Sequence, residues 1–109
     1  MLDENKVTIA GYLGADPQLR VTASGTAVCN ISVATNKRWK DRDSEEWHTD
    51  TQWHRVVIWG PAAKAAADKL SKGSRVRIDG ELRTEKWTDA EGIQRETTKI
   101  HARKVSFGG

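Results

Sequence analysis

A chain of 109 residues suits one small domain and is too short for two ordinary cores. With 37% hydrophobic and 30% charged residues its interior must be narrow, which fits a small barrel better than a broad layered sheet, while a formal charge of +3 permits an anionic partner without demanding one. The single cysteine excludes an intrachain disulfide and a cysteine-rich zinc site, no apolar run approaches a membrane span, and Met1 to Lys6 has neither a signal core nor a basic transit pattern, so a soluble cytoplasmic protein without a membrane partner is expected.

Lys6 to Leu13 alternates Val7 and Ile9 on one face and predicts a first strand, with Gly11 and Gly14 where a strand bends or ends. Asp16-Pro17 marks a turn, Leu19 to Val21 a short extended piece, and Ala23-Ser24-Gly25 a second turn. Ala27 to Thr35 alternates again and places Cys29 with Ile31 and Val33, as a small buried hydrophobe rather than a reactive thiol. Asn36 to Asp50 is highly charged without periodicity, and reads as a long mobile loop or the tip of a hairpin. Trp53 to Trp59 is a strand closed by Gly60. Pro61 then begins the one helix candidate, with Ala63, Ala66, Ala67 and Leu70 on its apolar face and Gly73 beyond its end. Ser74 to Trp87 alternates with Val76 and Ile78 inward, and Gly80 is able to kink it. Thr88 to Ile93 is a turn, and Gln94 to about Phe107 is the last strand. The order strand, strand, strand, helix, strand, strand is that of an OB-fold, an all-β five-stranded Greek-key barrel with one short helix.

Function is written most plainly in the tryptophans. They are five of the seven aromatic residues, whereas a core built for packing uses Phe and Tyr more freely. Strand alternation puts Trp53, Arg55, Val57 and Trp59 on one side, and His54, Val56 and Ile58 on the other. Basic neighbours recur in Arg38-Trp39-Lys40, Trp53-His54-Arg55 and Lys86-Trp87. Indoles interleaved with cations suit unpaired nucleotides, each of which brings a flat base to stack and a phosphate to neutralise. Trp39 and Trp47 lie in polar sequence where burial is hard to arrange, Trp87 sits at a strand end, and Trp59, in an apolar run, fits core and surface about equally. His48, His54 and His101 are scattered without metal-ligand spacing, and no phosphate-binding loop or nucleophile motif is present, so no catalytic residue, metal or cofactor is expected. Asp41, Asp43 and Glu45 lack the turn glycine and distal Glu of a calcium loop and read as a solvated acidic segment.

Several separated motifs carry a resemblance. Asn5-Lys6-Val7 with Gly11-Tyr12-Leu13-Gly14-Ala15-Asp16-Pro17, Gly25 with Ala27 to Thr35, Thr51-Gln52-Trp53-His54-Arg55-Val56-Val57, Lys72-Gly73-Ser74, Gly80-Glu81-Leu82-Arg83-Thr84 and Lys86-Trp87-Thr88-Asp89 occur in the order found in bacterial single-stranded DNA-binding proteins. The chain resembles that family over nearly its whole length. The resemblance implies an OB-fold protomer of a homotetramer that wraps single-stranded DNA with little sequence preference, in replication, recombination and repair. It implies stacking on Trp39, Trp53 and Trp87, and on Trp59 where the family commonly has Phe. It also implies phosphate contacts from Arg42, Arg55, Lys72, Arg83 and Lys86, with His54 at the subunit contact. The chain departs from the pattern at Pro61, often a Lys, at Glu85, where a basic residue is common, and at Trp47, an additional indole that is a further platform or a hairpin contact. Residues 1–109 are read as a single OB-fold domain without the family's acidic C-terminal tail, so replication and repair proteins are expected as partners only if a tail lies outside this sequence. The alternatives are a dimeric primosomal OB-fold protein, and an OB-fold module whose aromatic face binds a partner protein.

Overall fold

Alternating aliphatic residues on strands of a small closed sheet leave room for one thin core, and the chain folds accordingly. The computed structural model describes residues 3–108: β1 (Val7–Leu13), β2 (Gln18–Val21), β3 (Ala27–Lys40), β4 (Trp47–Trp59), α1 (Pro61–Lys69), β5 (Arg75–Thr88) and β6 (Gln94–Phe107). The sheet order is β1-β5-β6-β4-β3-β2, and a further pairing of β1 with β3 closes a five-stranded barrel with β2 as an outer edge. All pairings are antiparallel except that of β4 with β6, whose ladder is limited to Val56↔Ile100 and Val57↔His101.

Closure depends on Gly11. β1 pairs with β5 from Val7 to Tyr12 and crosses to β3 at Tyr12↔Ala34 and Leu13↔Val33. A Cβ at Gly11 would collide with the Ala34 carbonyl, so a side chain there would hold the two backbones apart. The kink expected at Gly80 is a bulge in the β5–β6 register between Asp79 and Gly80.

Leu13, Cys29, Ile31, Val33, Val56, Ile58, Val76, Ile78 and Ile100 fill the barrel, and no polar or charged residue is buried among the described residues. Burial pushes the Cys29 thiol pKa up, which suits the inert role read from its position. α1 lays Ala63 and Ala66 against this cluster, joined by Leu70 at its C-cap, with Pro61 in its first turn and Gly60 at its N-cap at a φ of 71°. Among the described residues no helix is long and apolar enough to cross a membrane.

Two expectations change. Leu19 to Val21 belongs to a paired strand, with Gln18↔Asn30 through Val21↔Ala27. Asn36 to Asp50 is mostly not a loop: β3 and β4 pair continuously from Val28↔Trp59 out to Lys40↔Trp47, leaving only Asp41 to Glu46 as the turn. The hairpin reading was the better one, but its arms are far longer than a tip. A two-stranded arm wet on both faces has no apolar alternation to reveal it.

Candidate nucleic-acid interface

All five indoles reach the surface, with exposures between 44% and 63%. The open question at Trp59 is thereby settled in favour of surface. On β4, Trp53, Arg55 and Trp59 share a side, as strand alternation requires, while Val56 and Ile58 enter the core. Their cross-strand partners explain how large rings lie on a sheet. Trp53 faces Ala34 and Trp59 faces Val28, both small enough to be fully buried beside an indole.

Trp53 has a second support. A Cβ added to Gly14 would fall 2.6 Å from Trp53 Cη2 and closer still to Cζ3, so the indole rests directly on the glycine backbone. Gly14 is anchored by its own amide to the Ser32 carbonyl at 3.1 Å. The neighbouring Leu13 carbonyl accepts the Gly73 amide at 2.8 Å, and Asp16 accepts the Lys72 amide at 2.8 Å, which brings Lys72 beside this platform.

Trp59 is held by β6. Its Nε1–H donates to His101 Nδ1 at 3.2 Å, with the ring planes 21° apart and centroids 6.4 Å apart. An in-plane hydrogen bond at that separation means that the rings lie edge to edge, close to coplanar. The bond fixes the His101 proton on Nε2, which sits 3.6 Å from Glu85 Oε1 and has no hydrogen-bond partner. Glu85 also accepts from Lys99 Nζ at 3.3 Å. Farther along the same face of the β5–β6 hairpin, Trp87 Nε1 donates to Thr97 Oγ1 at 3.0 Å.

Because β4 and β6 pair at only two positions, they splay toward the hairpin arms. The gap is a cleft of about 440 Å³ lined by Trp53, Arg55, Leu82, Thr98 and Lys99 among others. It joins the Trp53 platform to the Trp87 end of the hairpin in one band. Arg83 lies across from Lys99 on this face.

Four of the 18 Lys and Arg residues are held in ion pairs among the described residues. Arg77, Arg95, Lys99 and Arg103 are ion-paired with Asp79, Asp89, Glu85 and Glu81. Arg42, Arg55, Lys72, Arg83 and Lys86 are exposed and form no ion pair among the described residues. These five are the cations that the resemblance implied, and they share this unpaired state with others, Arg38 among them. Exposed indoles among unpaired cations offer a stretched polynucleotide both stacking faces and phosphate partners.

Not every expected residue joins this band. Trp39 lies on the other face of the β3–β4 arm, stacked on His48 at 5.4 Å, and Arg42 stands in the turn at its tip. Lys86 is on the opposite face of its hairpin from Trp87, across from Glu96. His54 points to the barrel side, half-buried, with Nε2 2.9 Å from Thr35 Oγ1. Sequence reasoning passed over His101, Lys99 and Gly14. Alternation along β6 puts Thr97, Lys99 and His101 on one face, but only the parallel pairing with β4 brings that face to Trp59.

The Single-strand binding protein family matches residues 4–108. A solved complex of Plasmodium falciparum SSB with ssDNA is similar over 100% of this chain and 98% of that chain, with a TM-score of 0.88 and 29% sequence identity. A family match over almost every residue, on a barrel that carries this band of indoles and cations, leads to one conclusion: the chain belongs to the single-strand binding protein family.

Proposed function

We propose that this protein binds single-stranded DNA without enzymatic chemistry, stacking bases on Trp53, Trp59, Trp87 and Trp39 and meeting phosphates with Arg42, Arg55, Lys72, Arg83 and Lys86. The observation that carries the reading is the exposed, braced pair Trp53 and Trp59 on one side of β4, with the unpaired Arg55 between them. Stacking is worth about 1–3 kcal/mol per base, so three or four platforms suffice for micromolar or tighter binding. Stacking reads the π-face that every base has, which gives little sequence preference. The cellular role proposed with it is the coating of single strands exposed in replication, recombination and repair.

Titration with oligo-dT tests the reading. Tryptophan emission is expected to be quenched strongly by oligo-dT and weakly by duplex of equal length, with log K falling steeply against log salt. An equal response to duplex and single strand would indicate a general polyanion binder. The homotetramer, with His54 near its subunit contact, belongs to the same proposal and rests on the family; light scattering should give a four-chain mass, and a two-chain mass would favour the primosomal type.

A further inference from the structure

Trp47 begins β4 six residues before Trp53, and Trp53 stands six before Trp59. Even spacing keeps all three indoles on one side of a single strand, opposite Lys40, Ala34 and Val28 in the β3 register. At about 3.3 Å per residue, neighbouring indoles in this row are spaced about 20 Å apart along the strand. Trp47 is the most exposed of the five, and it lies on the two-stranded arm where no core can take it. The Arg38 guanidinium sits 5.5 Å from its ring centroid and forms no ion pair among the described residues. Strand alternation puts Arg38 and Lys40 on the Trp47 side of the arm, and Trp39 on the other.

We infer that Trp47 and Arg38 form a further nucleotide subsite, in which a base stacks on the indole face away from Arg38 and the guanidinium meets an adjoining phosphate. The subsite extends the path along β4 from about 20 Å to about 40 Å. This inference rests on the reading of the chain as a single-stranded DNA binder. The Trp47 side of the arm thereby joins the binding surface, and the strand passes Trp47, Trp53 and Trp59 in turn.

Photo-crosslinking of the full chain to oligo-dT carrying 5-iodouracil, with adducts mapped by mass spectrometry, is expected to give an adduct at Trp47. Trp47→Ala is expected to weaken binding of an oligo-dT of about 12 nucleotides, enough to span the row when stacked, by roughly 5- to 150-fold. An oligomer of about 6 nucleotides, which the other platforms hold without Trp47, should be affected little. Trp47→Phe should retain most of the affinity, and Arg38→Ala should add less in the Trp47→Ala background than alone. Absence of an adduct at Trp47, with unchanged affinity of Trp47→Ala while Trp53→Ala weakens binding, overturns the subsite and leaves the function standing. Failure of the unaltered protein to bind oligo-dT overturns both.

Discussion

Trp59 and His101 lie edge to edge, joined by one Nε1–H···Nδ1 bond of 3.2 Å, so that a histidine inconspicuous in the sequence sets the plane of an exposed indole. Only a neutral imidazole has the lone pair this bond uses, and the bond crosses from β4 to β6 where the two strands run parallel. His101→Ala is expected to leave Trp59 free to rotate. Loss of one such bond is worth about 0.5–1.5 kcal/mol, roughly a two- to tenfold fall in single-strand affinity. In a Trp59→Ala background the same change should add nothing; a full additive loss would show that His101 acts elsewhere.

Gly14→Ala tests the seat beneath Trp53. The new methyl has no room against Cη2 and Cζ3, so the indole must swing off the sheet. Affinity for oligo-dT should fall toward that of Trp53→Ala, a loss of about 1–3 kcal/mol, with a much smaller change in thermal unfolding because the ring is outside the core. Unaltered binding by Gly14→Ala would mean that the ring position is not what matters.

Glu85 is a carboxylate of the central band, and it ties up Lys99 and faces His101. Glu85→Gln removes a charge that repels phosphate and releases a lysine toward it. Binding should tighten by a few-fold at low salt, with the salt slope steeper by about 0.7 for one added single-strand phosphate contact. An affinity that falls instead would show that the pairing orders the site more than it repels DNA.

Asp89 closes the β5–β6 hairpin next to Trp87. The Ile93 amide at 3.0 Å foremost, with the Arg95 guanidinium at 3.0 Å and the Glu91 amide at 2.9 Å, holds its carboxyl below the usual range against a smaller upward push from desolvation. A depressed folded-state value means that the charged form supports the turn above the ordinary carboxylate pKa of about 3.9, and that this support fades as pH falls through the folded value. Asp41, held down first by the Asp43 amide, and Asp79, held down first by the Thr8 hydroxyl, act in the same direction. Amide exchange at Glu91 and Ile93 is therefore expected to stay protected through the ordinary carboxylate range and to lose protection only at more acid pH, and Asp89→Ala should abolish that pH dependence. Protection that persists at acid pH in the unaltered chain would contradict this.

The sequence by itself determined the barrel and much of the surface band. Alternation marked the core of β3, β4 and β5, because each of those strands has one dry face, and Ala63, Ala66 and Leu70 marked the buried face of α1. The same parity put Trp53, Arg55 and Trp59 on one side of β4 before any coordinate was needed. The long β3–β4 arm escaped because both of its faces are wet, so its residues follow solvation rather than a period of two. Tertiary structure alone decided which separate strands meet. The parallel contact of β4 with β6 carries His101 to Trp59, the turn after β1 carries Gly14 under Trp53, and the splay between β4 and β6 opens the cleft. These are contacts between residues 39 or more positions apart in the chain, and local pattern holds no record of them.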